Sequence, residues 1–179
     1  MKALLIIDMQ KGSFKPYAVR HDAMGTIERI NIIAGRFKEK GYPVIFIQHD
    51  GSREHCFFPN TDDWEILPEL VRQPSDIIIS KTANDAFYHT LLQATLLEHQ
   101  ITELFITGCA TDFCVDTTVK SALSKDYKIT VVADGHTTAS RPHVDAQTVI
   151  HYYNWLWADL SPTRHKLAVV KADEIYRNC

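Results

Sequence analysis

Short apolar runs recur along the chain, and each is bounded by polar or turn-forming residues. Runs of this length are typical of strands that are buried on both faces of a sheet. The second run has Val-Ile-Phe-Ile at its centre, and the third contains Ile77-Ile78-Ile79. We predict strands at residues 2–8, 43–48, 76–81, 103–107, 128–134 and 167–170.

The segments between these runs carry apolar residues at the three-to-four-residue spacing of amphipathic helices. The clearest helix is 22–40, which Asp22 is predicted to cap and Gly41 to end. Its apolar positions are Ile27, Ile30, Ile33, Ala34 and Phe37. Further helices are predicted at 88–99, 112–125 and 142–158, the last with Pro142 in its first turn.

Strands that alternate with helices indicate a parallel sheet covered on both faces. We therefore predict an α/β fold: a three-layer α/β/α sandwich around a six-stranded parallel sheet. A chain of 179 residues is long enough for one domain with a sizeable core, so residues 1–179 are assigned to a single domain. Residues 51–74 show no period and are expected to form a long, functional loop.

Polar residues follow the predicted strands at their carboxyl ends, where ligands bind in parallel sheets. Asp8 ends the first strand, Lys81 ends the third, and Cys114 comes shortly after the fourth, near the start of a helix. Because these strand ends meet at one edge, that edge should supply an acid, a cation and a thiol.

Cys114 is a candidate nucleophile, because a helix N-terminus can lower the pKa of a thiol and its amides can stabilise an oxyanion. Asp8 could accept the thiol proton, and Lys81 could hold the carboxylate and favour the thiolate. Each residue also has a purely structural interpretation. Cys114 could be a small buried side chain, Asp8 a loop hydrogen-bonder and Lys81 a solvated strand end.

Other residues near this edge are candidates for substrate contact. His49 and Asp50 are expected to form hydrogen bonds or touch substrate, while His136 and Arg141 could contact a substrate or a neighbouring subunit. Aromatic residues in the loops could wall a pocket or form a small satellite core: Phe14, Phe57, Phe58 and Trp64. The aromatic residues of the last long helix are interpreted as core or subunit interface: Tyr152, Tyr153, Trp155 and Trp157.

Neither a metal nor an organic cofactor is predicted. The spacing of His49, Asp50 and His55 matches no metal site with three or four ligands. The chain contains no GxGxxG and no GxxxxGK[ST] motif, so the main sequence support for dinucleotide or nucleoside-triphosphate binding is missing.

Composition excludes other classes. The hydrophobic fraction of 45% and the charged fraction of 23% are ordinary for a globular domain. A net charge of −3 does not favour nucleic-acid binding, and no apolar run approaches the roughly 20 residues of a membrane helix. Asp8 interrupts the N-terminal apolar run too early for a signal peptide. We therefore expect a cytoplasmic protein whose four cysteines are free thiols.

Four segments of the sequence resemble the isochorismatase-like cysteine hydrolases, which include nicotinamidases and N-carbamoylsarcosine amidases. The resemblance extends from Ala3 to about Val170. The segments are Ala3-Leu-Leu-Ile-Ile-Asp-Met-Gln10, Lys81-Thr-Ala-Asn-Asp-Ala-Phe87, Thr107-Gly-Cys-Ala-Thr-Asp-Phe-Cys-Val115 and Asp134-Gly-His-Thr-Thr138 with Arg141-Pro-His143 and His151-Tyr-Tyr-Asn-Trp155.

This resemblance implies a catalytic triad of Asp8, Lys81 and Cys114, with Gln10 and Phe87 close to the substrate. It implies a non-proline cis peptide at Ala110–Thr111, and oxyanion donors at the main-chain N–H groups of Cys114 and of Ala110 or Thr111. The Asp-x-His motif of metal-binding nicotinamidases is replaced by Gln48-His49-Asp50-Gly51, which argues against a metal.

Three functions follow as alternatives. The first is hydrolysis of a small amide or related C–N bond through a thioester on Cys114. The second is protonation of a vinyl ether by Asp8 without a covalent step, and the third is a non-catalytic small-molecule binding module. The resemblance also implies a homo-oligomer, either a dimer or a tetramer.

Overall fold

Six strands form one sheet in the computed structural model, which describes residues 1–178. Cys179, one of the cysteines expected to be a free thiol, lies outside the described residues. The strands are β1 (Lys2–Ile7), β2 (Val44–His49), β3 (Ile77–Lys81), β4 (Glu103–Cys109), β5 (Lys128–Thr137) and β6 (Ala168–Val170). The helices are α1 (Ala23–Glu39), α2 (Leu92–Glu98), α3 (Asp116–Ser124), α4 (Ala146–Asp159) and α5 (Ala172–Asn178).

The strands are all parallel, in the order β3-β2-β1-β4-β5-β6. The chain runs outward from β1 to β3 and then returns to the other side of β1 to form β4. Ile7, the last residue of β1, is therefore aligned with Ile47 on one side and Gly108 on the other. Parallel sheets bind ligands at such a reversal of strand order, at the carboxyl ends of the strands.

Both faces of the sheet are buried under helices. Within β1, Leu5 and Ile7 belong to one hydrophobic core, while Leu4 and Ile6 belong to the other. Helices α2, α3 and α4 contribute side chains to the first core, and α1 and α5 contribute to the second. This arrangement confirms the three-layer α/β/α sandwich, and it explains why the strands are continuously apolar in sequence.

Several element ends differ from the sequence prediction because capping and turn contacts decide them. Helix α4 begins at Ala146, since the Asp145 carboxylate accepts a hydrogen bond of 2.9 Å from the Thr148 N–H. Pro142 therefore lies outside the helix, in a turn that Arg141 N–H closes by donating to Val144 O at 2.8 Å.

Three helical segments also differ from the prediction. The helix expected at 88–99 is confined to Leu92–Glu98, and the one expected at 112–125 begins as a π-helical turn, Thr111–Val115. Helix α5 was not predicted at all. None of the helices within residues 1–178 is long and apolar enough to cross a lipid bilayer.

Gly108 permits the close approach of β4 to β1 beneath the strand ends. Its φ is +123°, a conformation that side chains with a Cβ rarely adopt. A Cβ at this position would overlap the main-chain atoms of Ile7, which cannot move without displacing β1.

We predict that Gly108→Ala lowers the free energy of unfolding by about 2–4 kcal/mol, through backbone strain and overlap with β1. Urea denaturation followed by circular dichroism measures the change. The matched control is Gly35→Ala in α1, where an added Cβ meets open space. The control should stabilise the helix by about 0.5–1 kcal/mol. Equal stability of Gly108→Ala and wild type would contradict the prediction.

Candidate active site

Three separate elements bring Asp8, Lys81 and Cys114 together. Asp8 directly follows β1, Lys81 ends β3, and Cys114 lies in the π-helical turn after β4. The Lys81 Nζ lies 2.7 Å from Asp8 Oδ2 and 3.3 Å from Cys114 Sγ. The sequence prediction that one sheet edge gathers an acid, a cation and a thiol therefore agrees with the geometry.

Lys81 is a buried cation, with only 1% of its surface exposed. Burial lowers the pKa of its ammonium group, but the neighbouring charges of Asp8 and Cys114 outweigh this effect and leave the pKa raised. The ammonium group also donates to Ala83 O at 2.9 Å and lies 3.3 Å from His49 Nδ1. Lys81 thus stays protonated and is held in position by several partners.

The thiol of Cys114 does not have the lowered pKa that its position near a helix start suggested. Burial and the negative charge of Asp8 raise the pKa of this thiol, although Lys81 opposes them. The resting thiol is therefore protonated, and Asn84 Oδ1 lies 3.5 Å from its Sγ as an acceptor. A nucleophilic role requires a base, and Asp8 is the adjacent carboxylate.

The turn between β4 and Cys114 corrects one expectation from the sequence. The non-proline cis peptide lies at Cys109–Ala110, not at Ala110–Thr111. The reason is that β4 continues to Cys109, so the change of direction starts at the last strand residue, and Thr111 already belongs to the π-helical turn. The Ala110 carbonyl accepts hydrogen bonds from Phe113 N–H and Val115 N–H at 3.0 and 3.2 Å.

Thr111 and His136 form a buried pair behind this turn. The Asn154 Nδ2 donates to Ala133 O at 2.8 Å, so its Oδ1 faces His136 Nε2 at 3.0 Å and accepts a hydrogen bond from the Nε2–H group. His136 Nδ1 is then the acceptor for the Thr111 hydroxyl at 2.9 Å. Burial lowers the pKa of His136 to about 4, so the ring is neutral and suited to this arrangement.

Asp112 and Arg141 fix the same turn from its outer side. The guanidinium of Arg141 donates to both carboxylate oxygens of Asp112, at 2.7 and 3.0 Å. Thr138 adds a hydroxyl donor to Asp112 Oδ1 at 2.6 Å. Burial raises the pKa of Asp112, but the bonds from Arg141 and Thr138 outweigh it and lower the pKa, so the pair stays charged.

A cavity of about 250 Å³ opens beside Cys114. Its volume lies just below the roughly 300–1,000 Å³ that is common for ligand pockets. The lining residues are Asp8, Gln10, Ser13, Arg20, His49, Phe57, Asn84, Cys109, Ala110, Phe113, Cys114 and Arg141. Burial raises the pKa of Cys109 to about 11, so this second thiol is also protonated.

Gln10 and His49 line this cavity, but the amide of Gln10 is occupied by main-chain groups. Its Nε2 donates to His49 O at 3.0 Å and to Trp64 O at 2.9 Å, while its Oε1 accepts from His49 N–H at 2.8 Å. Gln10 therefore joins the end of β2 to the long loop and does not offer a free group to a ligand.

Four residues that were expected to contact substrate lie elsewhere. Phe14 and Phe87 pack into the two hydrophobic cores, because their loops fold back over the sheet. The carboxylate of Asp50 accepts the Ser52 N–H at 2.9 Å and closes a local turn. His136 supports Thr111 from behind the turn. Neither Asp50 nor His136 lines the cavity.

The sequence prediction missed five cavity residues: Ser13, Arg20, Asn84, Cys109 and Phe113. Asn84 and Phe113 carried a usable signal, because each lies within three residues of a predicted triad member. Ser13 and Arg20 belong to the loop after β1, whose path cannot be derived from a local pattern.

No group of three or more metal-ligating side chains is found among residues 1–178. His49 is directed toward Lys81 and lies 3.4 Å from Glu54 through its other ring nitrogen, while Asp50 is engaged by Ser52. The residues after β2 therefore do not converge on one point as metal ligands would.

A family model described as the isochorismatase domain matches residues 2–163. The chain belongs to the isochorismatase family. This isochorismatase-family hydrolase is 33% identical over 135 residues to the uncharacterised family member YrdC of Bacillus subtilis (strain 168), covering 74% of the chain and 72% of YrdC. It is 35% identical over 72 residues to the ureidoacrylate amidohydrolase RutB of Variovorax paradoxus (strain S110), covering 40% of the chain and 29% of RutB.

Structural similarity agrees with this assignment. A crystal structure of an isochorismatase family protein superposes on the isochorismatase-family chain with a TM-score of 0.87 and 29% identity, covering 95% of this chain and 98% of that one. The chain spans about half the length of two other curated relatives that it matches. They are streptothricin hydrolases of Streptomyces noursei, of whose length the chain covers 51% and 56%.

The aromatic residues of α4 are divided between core and surface. Trp157 is fully buried, and its indole N–H donates to Asp116 at 3.0 Å, whereas Tyr152 and Trp155 are exposed. Trp157 therefore belongs to the core. An oligomer interface at the exposed residues remains a prediction.

We predict that the stability of the protein falls as the pH drops from about 6.5 to about 4, because His136 is neutral in the fold and binds a proton more readily when unfolded. The depressed folded-state pKa means that this stability is present above pH 6.5 and is lost below it. The loss due to His136 should reach about 3 kcal/mol. Urea denaturation at a series of pH values measures it.

The control is His136→Gln, which removes the ionisable ring. It should be less stable than wild type at pH 7 but show a smaller decrease toward pH 4. Nuclear magnetic resonance of the wild-type imidazole provides an independent check, since a ring that titrates near pH 6.5 would contradict the assignment.

Proposed function

We propose that this isochorismatase-family protein is a cysteine-dependent amidase that hydrolyses a small amide or ureide through a thioester on Cys114. The observation that carries the proposal is the position of the buried Lys81 ammonium, 2.7 Å from Asp8 and 3.3 Å from Cys114, two residues that line the cavity. A binding module has no need of an acid, a cation and a thiol in mutual contact.

In the first step, Asp8 takes the proton of the Cys114 thiol while Sγ attacks the substrate carbonyl carbon. The carbonyl oxygen becomes an oxyanion. We assign its donors to the main-chain N–H groups of Cys114 and Ala110. Ala110 lines the cavity, and its N–H donates to no oxygen among the described residues.

In the second step, the C–N bond breaks and Asp8 returns its proton to the leaving nitrogen, which departs as an amine or ammonia. The acyl group that remains on sulfur, a thioester from an amide or a thiocarbamate from a ureide, is attacked by water with Asp8 as the base. Its cleavage restores the Cys114 thiol and yields a carboxylic acid from an amide, or from a ureide a carbamic acid that decomposes to CO2 and ammonia or an amine. Lys81 keeps one positive charge beside Asp8 and Cys114 as negative charge moves between them.

The amide class is favoured by two considerations. A thiol that lies in the cavity beside a base suits acyl transfer, in which a covalent intermediate splits one difficult step into two. RutB, which aligns with part of this chain, is by its name an amidohydrolase. We propose that this chain catalyses the same class of reaction, the hydrolysis of an amide bond.

A second candidate is vinyl-ether hydrolysis, which the name of the matching isochorismatase domain suggests. In that reaction Asp8 would protonate the substrate, and Cys114 would form no bond to it.

We predict that Cys114→Ala lowers the rate of ammonia release by more than about 1,000-fold, because the nucleophile is lost. A panel of small carboxamides and ureides is assayed for ammonia, and trapped thioester is sought by mass spectrometry. The matched control is Cys56→Ala, which removes an exposed thiol and should leave the rate unchanged.

Full amide turnover by a folded Cys114→Ala protein would overturn the covalent mechanism. Vinyl-ether turnover that survives Cys114→Ala but is lost in Asp8→Asn would establish the second candidate instead.

A further inference from the structure

Arg20 brings a charged guanidinium to the cavity without a carboxylate partner. Its Nε–H donates to the main-chain oxygen of Ser13 at 2.6 Å, and its Cζ lies 5.9 Å from the centre of the Phe14 ring. Within residues 1–178, the two terminal amino groups of Arg20 have no hydrogen-bond acceptor and no acidic neighbour at ion-pair distance. Two adjacent donors are therefore free on a side chain that lines the cavity.

The main chain around Arg20 is fixed before any ligand binds. The Arg20 N–H donates to Tyr17 O at 3.0 Å. The next residue, His21, is attached to the end of β5: its N–H donates to Thr138 O at 3.0 Å, and its carbonyl accepts the Thr137 hydroxyl at 2.6 Å. A preorganised charged group of this kind binds a ligand at low entropic cost.

The charges that line the cavity do not cancel. Asp8 is balanced by Lys81, and Arg141 is balanced by Asp112. The lining contains no other carboxylate, so Arg20 leaves an excess of one positive charge. The positive charge of Arg20 acts on the cavity wall, where it lowers the pKa of the Cys109 thiol. Burial has the larger effect on that thiol and leaves its pKa raised.

We propose that Arg20 binds a carboxylate group of the substrate, so that the substrate class is a short amide or ureide that also carries a carboxylate. The planar guanidinium fork matches the two oxygens of a carboxylate, and one fork neutralises one negative charge. The inference rests on the proposed function, because the amide carbonyl must reach Cys114 from the same cavity.

The size of the cavity restricts the substrate further. A volume of about 250 Å³ accommodates a compact molecule, and Arg20 and Cys114 both line this one space. The carboxylate and the scissile carbonyl are therefore separated by a short chain of a few carbon or nitrogen atoms.

The test uses pairs of compounds in which a neutral hydroxymethyl group replaces the carboxylate and the scissile group is unchanged: succinamate and 4-hydroxybutyramide, and 3-ureidopropionate and 3-ureidopropan-1-ol. For each pair, kcat/KM for ammonia release is measured with wild type, and the ratio of acid to neutral compound is calculated. We expect the wild type to prefer the acid by at least about 10-fold, as a charge-assisted hydrogen-bonded pair predicts.

Substitutions of Arg20 should change this ratio. Arg20→Gln should lower it by about 10- to 100-fold, and Arg20→Lys should retain part of it because the charge remains while the fork is lost. The matched control is Arg36→Gln, which removes an exposed arginine from α1 and should leave the ratio unchanged. An unchanged ratio in Arg20→Gln, or a wild-type preference for the neutral compounds, would overturn the proposal.

A binding measurement separates this proposal from the proposed reaction. Calorimetry with Cys114→Ala, with and without Arg20→Gln, follows the same four compounds without turnover. Arg20-dependent binding of the acids together with no ammonia release by wild type would support the carboxylate site and overturn the cysteine amidase. Turnover without Arg20 dependence would support the cysteine amidase and overturn the carboxylate site. If the protein shows no binding and no turnover, both proposals are overturned.

Discussion

The ammonium group of Lys81 lies almost without solvent contact, and the arrangement of the site depends on how that charge is accommodated. An isolated buried ammonium is strongly unfavourable, and only a close counter-charge and further hydrogen bonds offset the cost. Asp8 provides the counter-charge at 2.7 Å, and Ala83 O provides an acceptor at 2.9 Å. Because Asp8 follows β1 and Lys81 ends β3, the ion pair also fixes the relative position of two strands that do not touch.

The same charge pair determines the state of the thiol. Asp8 and burial hold the proton on Cys114, while Lys81 favours its release. The protein therefore stores a neutral thiol beside an ion pair, and the negative charge appears on sulfur only when the proton moves. The turn that holds this thiol is fixed on two sides, by Arg141 on Asp112 and by His136 on Thr111. Both supports come from residues at or just beyond the end of β5.

The sequence was sufficient for those features that follow from local pattern and from the geometry of parallel sheets. The apolar runs located all six strands, and the rule for carboxyl ends brought Asp8, Lys81 and Cys114 together. Features that depend on burial or on the path of a loop could not be predicted from the sequence. The raised pKa of Cys114 reflects its tertiary surroundings, and Arg20 enters the cavity from the loop after β1, whose path no local pattern indicates. Phe14 and Phe87 illustrate the same limit, since a loop aromatic can face the core as easily as a cavity.

The hydrogen bonds of the Gln10 amide limit how this site can be redesigned. Its single amide holds the end of β2 and the carbonyl of Trp64 at the same time, so the long loop and the strand end share one anchor. The loop after β1 begins at that anchor and carries Arg20. The two loops are thus joined to each other and, through His49, to the strand ends that surround the thiol. Replacing either loop alone would remove partners of this amide, so a redesign of the cavity has to change both loops together with Gln10.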